Sequence, residues 1–290
     1  MNAISAFAAS LSNPINALLA ALAVLTGTYV VGWSKSENGP TLTEVLIGAV
    51  TNFLDALGIG SFATSTAAFR ALKLVPDRII PGTLNVGHTL PTVAQAFIFT
   101  AVIPVDVVTL FAMIAAAVAG AWLGAGIVAG WPKRKVQLGM GFALLAAATF
   151  FTMRNLGLFP AGSDAIGVTG VMLVLAVIGN FFLGALMSLG IGLYAPCMIL
   201  VSLLGMSERT AFPIMMGSCA FLMPVGGLRF IREGSYDSRT SVGLTLGGIP
   251  GVLLAAYFVV NMPLYAVRWL IIAVVIYTSI QMLWQRPQRL

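Results

Sequence analysis

One apolar segment in each half of this chain is broken by a pair of glycines. Leu57-Gly58-Ile59-Gly60-Ser61-Phe62-Ala63-Thr64 interrupts the first, and Leu189-Gly190-Ile191-Gly192-Leu193-Tyr194-Ala195-Pro196 interrupts the second. The residues after each break suit a helix start: hydroxyls can accept from first-turn amides, and Pro196 forfeits an N–H that would be unpaired there anyway. The flanks repeat as well. Asn52-Phe53-Leu54 leads into the first break and Asn180-Phe181-Phe182-Leu183 towards the second. Downstream, Asp77-Arg78 and Gly82-Thr83-Leu84-Asn85-Val86-Gly87 are matched by Glu208-Arg209 and Pro213-Ile214-Met215-Met216-Gly217. A duplication is the simplest account, and it frames every other reading of the chain.

The surroundings of the breaks say where the chain folds. Hydrophobic residues make up 59% and charged residues 8%, against roughly 25% charged in a soluble domain. Mean hydropathy is +0.99, which leaves too little polar surface for a water-soluble fold. The apolar runs are about 20 residues long with short polar joints, the pattern of membrane-spanning helices; a barrel would alternate in segments of about 10. The 31 glycines suit membrane helices, whose backbones approach closely at small residues. The net charge of +6 sits in joints between spans, as the positive-inside bias requires, so nucleic acid is not an expected partner. Cys197 and Cys219 fall in apolar segments and indicate no disulfide framework. The first residues carry no Lys or Arg, so no cleavable signal peptide is expected.

The apolar pattern predicts spans at about Ile15–Trp33, Pro81–Ala101, Val105–Gly130, Val136–Thr152, Ala211–Ile231, Thr240–Asn261 and Leu264–Trp284. Two broken segments, Thr43–Leu74 and Ile166–Gly205, complete the set, and Ser34–Pro40 and Leu156–Asp164 are polar joints. Residues 1–40 form an N-terminal helix and turn, 41–160 a first repeat and 161–290 a second. Basic clusters lie at Arg70/Lys73/Arg78, Lys133/Arg134/Lys135, Arg229/Arg232/Arg239 and Arg286/Arg289. Arg70 and Lys73 are read as such topology markers. Placing all of them in the cytoplasm works only if each broken segment enters the bilayer and returns on the same side. Three plain spans then remain in each half, and the halves face opposite ways. The expected fold is an all-α integral membrane protein with an inverted-topology repeat, two helix-break-half-helix hairpins meeting near the midplane, and an extra N-terminal helix. Arg209 falls on the outer side, against this bias.

Inverted repeats with helices broken in the membrane are the architecture of secondary transporters. Irregular backbone persists in hydrocarbon only where protein, water or a ligand satisfies it. A half-helix starting there presents free amides and about half a positive charge, which suits an anion. The two expected starts are Ser61–Thr66 and Leu193–Cys197, with hydroxyls at Ser61, Thr64, Ser65 and Thr66.

The paired LGIGS and LGIGLYAP motifs, the repeat and the span layout, from about Thr43 to the C-terminus, resemble the TauE/SafE family of membrane permeases. That resemblance implies export of sulfite or a small organosulfonate such as sulfoacetate. It implies central turns at Gly58, Gly60, Gly190 and Gly192, with the residues after them lining the pocket, Tyr194 and Cys197 among them. The family's usual motif carries further glycines after GxG; here Ser61-Phe62 and Leu193-Tyr194 stand in their place.

Several polar residues have two readings each. Asp55 lies one turn before Gly58 with Asn52 on the same face, and is either a proton or cation coupling site or a polar tie to a neighbouring helix. His88, the single histidine, lies with Asn85 and Thr89 in the next span. It serves substrate binding or a proton relay, or else bonds a backbone carbonyl. Ser218-Cys219 is its approximate counterpart in the second half, so a polar lining recurs at this level. Cys197 and Cys219 could touch a sulfur-containing substrate, but the small buried hydrophobe is the stronger reading.

No metal-ligand cluster, second histidine, GxSxG elbow or phosphate loop is present, so neither an enzyme nor a metal or other cofactor is expected. The expected function is a secondary transporter, an exporter, in a bacterial inner (plasma) membrane, multi-pass with its C-terminus cytoplasmic. It would hold a small anion between opposed half-helix starts and work by alternating access. An anion channel and a non-transporting accessory protein are the alternatives. The residues do not choose between proton and sodium coupling, or between a monomer and a homodimer.

Overall fold

The computed structural model describes residues 14–33, 39–124, 132–156, 158, 164–187 and 192–284. Lys35, most of the two polar joints, Gly190, Arg286, Arg289 and the C-terminus lie outside the described residues. Eleven α-helices follow one another among those that are described: α1 (Pro14–Trp33), α2 (Leu42–Ala56), α3 (Ser61–Leu72), α4 (Ile80–Val102), α5 (Val107–Ala119), α6 (Lys133–Asn155), α7 (Gly170–Met187), α8 (Tyr194–Leu203), α9 (Ala211–Arg232), α10 (Ser238–Asn261) and α11 (Leu264–Trp284). Among the described residues there is no strand, only an isolated bridge between Ala165 and Met206.

Among the described residues four helical segments are long and apolar enough to cross a membrane: Gly170–Met187, Glu208–Arg232, Ser238–Asn261 and Tyr265–Trp284. α4 is as long as these, but Thr83, His88, Thr89, Thr92, Gln95 and Thr100 are buried along it and lower its hydropathy. The reverse holds for α7. Its window is the most apolar and only 28% buried, with Val171, Met172, Val174, Leu175, Ile178 and Phe182 exposed. An apolar face turned outward belongs against lipid. Trp122, Tyr257, Tyr265 and Trp284 are exposed close to helix ends, where amphipathic rings suit a membrane interface.

Both segments expected to be broken are broken. α2 stops at Ala56 and α3 starts at Ser61; Met187 is the last described residue of α7, and Gly192 and Leu193 lie outside a helix before α8 starts at Tyr194. α3 begins at Ser61, at the head of the expected start Ser61–Thr66, and the Asp55 carboxylate accepts the Ser61 N–H and caps the helix there. α7 begins four residues later than Ile166. The stretch before it is held extended by Ser207 N–H to Ala165 O, Asp106 N–H to Ile166 O and Val168 N–H to Thr109 Oγ1.

The chain forms two compact units. The first comprises residues up to Ala56, Ser61–Val102 and Cys219–Ala256; the second comprises Leu57–Gly60, Ile103–Ser218 and the residues from Tyr257. This is a division by packing, and it leaves open the repeat boundary drawn near residue 160.

In the first unit, α2 seats on a glycine ridge of α10. Gly243, Gly247 and Gly251 recur every fourth residue, and a Cβ on Gly247 would lie 1.8 Å from Val45 O and one on Gly251 2.2 Å from Ala49 O. Gly48 returns the contact against Leu244. Only hydrogen side chains allow backbones this close. At one end Phe69, Val75, Ile80, Leu84 and Leu244 form an apolar cluster. At the other side of α2, Glu44, 5% exposed, faces Arg239 at 3.6 Å.

The second unit uses the same device between α5 and α7. A Cβ on Gly120 would lie 1.9 Å from Phe181 O, and one on Gly184 2.1 Å from Ala117 O. α6 packs along α11, where Arg134 donates to the carbonyls of Met282 and Leu283 at 2.9 and 2.7 Å. A guanidinium at a helix C-terminus satisfies orphan carbonyls and complements the helix dipole. Arg209, awkward for the charge rule, is spent within this unit: it donates to Met262 O.

Candidate functional site

The first break turns on two glycines with φ of +93° at Gly58 and +90° at Gly60, backbone that L side chains rarely adopt. Its closure is made by Asp55. Oδ1 accepts the Ser61 N–H at 2.6 Å and Oδ2 accepts from Gln95 Nε2 of α4 at 2.8 Å, with Asp55 only 3% exposed. The carboxylate therefore sits on the start of α3, where helix-end charge favours an anion. The polar tie anticipated for Asp55 is present. Its partners are a helix start and a glutamine.

One turn earlier on α2, Asn52 organises a second cluster. Its Nδ2 donates to Gly48 O at 2.8 Å, so Oδ1 faces His88 Nδ1 at 3.1 Å. An acceptor opposite Nδ1 places the proton on that nitrogen, so Nε2 accepts from Ser65 Oγ at 2.9 Å. His88 thus bonds two side chains, and the backbone carbonyl anticipated for it is not among them. Asn52, Ser65 and His88 are each 0% exposed, and the Phe62 ring lies 6.0 Å from the imidazole. Thr64 Oγ1 turns back to Ser61 O, while Ser61 is buried at the helix start. Asn85 is half-buried, and its Oδ1 has no partner.

The second unit repeats part of this arrangement. Asn180 on α7 donates from Nδ2 to Met113 O at 2.7 Å and to Ser218 Oγ at 3.2 Å, and Ser218 Oγ donates to Ile214 O at 2.7 Å. Each asparagine that precedes a break thus reaches the helix after the half-helix, at His88 in one copy and at Ser218 in the other. They differ in one atom's fate: the Oδ1 of Asn52 has its donor, and the buried Oδ1 of Asn180 has none.

The start of α8 is buried at Leu193, Tyr194, Ala195 and Cys197. Leu193, at the N-cap, contributes no side-chain hydrogen bond. Aligned on the asparagines Asp55 falls opposite Leu183, and aligned on the glycines opposite Met187, so in either register this copy has no equivalent carboxylate. Gly192 is exposed, and a Cβ there would meet nothing within 4 Å. Cys197 and Cys219 are buried and form no disulfide among the described residues. Among the described residues no three His, Cys, Asp or Glu side chains converge as metal ligands.

Sequence reasoning passed over Gln95, a lone amide two turns beyond His88 on one face of α4, and gave Asn52 and Asn180 only a supporting place. The signal for both asparagines was there in the recurring Asn-Phe before each break.

Among the described residues these features define an all-helical architecture with four helices fit to cross a membrane and polar clusters buried beside helix breaks. Comparison with protein-family models, curated proteins and solved structures finds no match.

Proposed function

We infer that this chain is a secondary transporter, an exporter, of a small anion, with sulfite or an organosulfonate such as sulfoacetate as the substrate class and alternating access as the mechanism. The inverted-repeat topology and the kinship with TauE/SafE permeases belong to this reading. So does the assignment of Gly58, Gly60, Ser61, Thr64, Ser65, Asn85, His88, Gly190, Gly192, Tyr194, Cys197 and Ser218 to the substrate path.

One observation carries it. The start of α8 is buried, its N-cap residue supplies no side-chain acceptor, and the helix before it, α7, carries no acidic residue. A helix start presents amides and positive helix-end charge, which contributes up to about 2 kcal/mol to holding an anion in a partly buried geometry. Small oxyanions present several acceptor oxygens to such amides.

The test is a thermal-shift panel of sulfite, sulfoacetate, methanesulfonate, sulfate, phosphate and lactate on the detergent-purified chain, followed by flux in proteoliposomes. At least one anion is expected to stabilise the protein and to cross saturably. A Cβ on Gly192 would meet nothing within 4 Å, and Gly192→Leu is expected to keep the folded protein, checked by size-exclusion chromatography, while the shift and the flux are lost. Stabilisation by none of the six, or wild-type flux in Gly192→Leu, refutes the reading. Single-channel currents without saturation would replace it by a channel.

A further inference from the structure

Asp55 occupies the start of α3 in the way a bound anion would. Its bonds to Ser61 N–H and Gln95 Nε2 bridge the break, crossing from one side of Gly58 and Gly60 to the other and on to α4. Charge-assisted bonds of this kind compensate the charge of a buried carboxylate. Should that carboxylate leave those donors while still buried, it would carry an uncompensated charge, and taking up a proton removes that cost.

We propose that Asp55 is a proton-binding site that exchanges with the transported anion at the start of α3. An oxygen of the anion takes over the Ser61 N–H, and the released Asp55 oxygen takes one proton from water. Before the exchange the site holds one carboxylate; afterwards it holds one neutral carboxylic acid and one monoanion. Its charge is unchanged, so a monoanion and a proton travel together without net charge. This rests on the anion-transport reading above.

The groups around Asp55 leave it as the ionisable centre of the cluster. α3 carries no ionisable side chain before Arg70, which lies at its far end, 3.0 Å from Asp77. On α4 the ionisable group is His88, already engaged by Asn52 and Ser65. Arg239 of α10 faces Glu44 near the opposite end of α2, and Tyr29 of α1 donates to Val86 O.

The experiment measures methanesulfonate affinity by calorimetry on the purified chain between about pH 5 and about pH 8, where the sulfonate keeps its charge. One proton taken up per anion makes wild-type affinity fall by up to about tenfold per pH unit as pH rises. Asp55→Asn, a permanently neutral side chain, flattens that slope. A second measurement needs no variant: on adding methanesulfonate, protein labelled with carboxyl-¹³C aspartate gains an isotope-shifted carboxylic-acid C=O band in infrared difference spectra. Binding with no pH slope in the wild type, an unchanged slope in Asp55→Asn, or no such band overturns the proton site and leaves the anion reading standing. Absence of binding at every pH, together with a silent thermal-shift panel, overturns both.

Discussion

Substituting Gly247 by alanine tests whether the first break depends on how closely α2 and α10 pack. The added Cβ would lie 1.8 Å from Val45 O, 2.7 Å from Val45 C and 2.8 Å from Ala49 N, all backbone atoms that no rotamer change can move. Ordinary contact begins at 3.4 Å, so starting from 1.8 Å the helices must part by about 1.6 Å. In lipid no hydrophobic force pulls them back, because association rests on van der Waals contact. Overpacking of this kind costs roughly 1–3 kcal/mol, and the helix displaced is the one that carries Asn52 and Asp55. A shift of that size exceeds what bonds of 2.6 to 3.1 Å at Ser61, Gln95 and His88 can absorb.

The assay is equilibrium unfolding in mixed micelles of a mild detergent and SDS, with the anion-dependent thermal shift read in parallel. Gly247→Ala is expected to lose about 1–3 kcal/mol and the ligand shift together. Gly251→Ala starts from 2.2 Å and follows the same direction. The double variant costs less than the two separately, since one separation of the helices relieves both clashes. Gly139→Ala, in α6 with nothing within 4 Å of its Cβ, serves as the control and matches or exceeds wild type by up to about 1 kcal/mol. If Gly247→Ala unfolds within about 0.5 kcal/mol of wild type, the ridge is not what seats α2.

Gly60→Ala adds a side chain in open space but at φ +90°, so backbone strain of about 1–2 kcal/mol is expected, read as a lowered unfolding midpoint. Gly192→Ala, also in open space and without positive φ, should be close to neutral in the same measurement. Asn52→Leu strands the His88 Nδ1–H in a buried site at about 1–3 kcal/mol. Asn52→Leu with His88→Leu removes both partners, and a double-mutant cycle should show the pair costing less than the sum; strict additivity would refute the bond.

Much of the fold could be read from residues alone because its signals are local. Runs of about 20 apolar residues define spans, and paired glycines followed by Ser61 or Tyr194 mark where helices stop and restart. The misjudged ends have nonlocal causes. α7 starts late because Ala165 and Ile166 give their carbonyls to Ser207 and Asp106, residues about 40 and 60 positions away that no periodicity can announce. The glycine ridge lay in plain view as Gly243, Gly247 and Gly251, yet an i, i+4 run does not name the helix that will lie on it. Only the observed contacts identify Val45, Gly48 and Ala49 of α2.

The site was legible to the extent that duplication constrained it, and its meaning lies where the copies part. Asn52 and Asn180 keep the same task, each reaching across to the helix after a half-helix. The partner changed from imidazole to hydroxyl, which fills one Oδ1 and leaves the other without a donor. No acidic residue of α7 stands for Asp55, so the start of α3 holds a carboxylate from the helix before it and α7 has none to offer α8. For a device that takes up an anion the difference matters: a start already occupied by a carboxylate must first be vacated or neutralised before a ligand can take its donors. Restoring the carboxylate tests this. Met187→Asp places a carboxylate three residues before Gly190, the spacing Asp55 has from Gly58, and affinity for the anion should fall at neutral pH and recover in acid. Unaltered affinity across that range would mean that a carboxylate beside the second break does not compete with ligand.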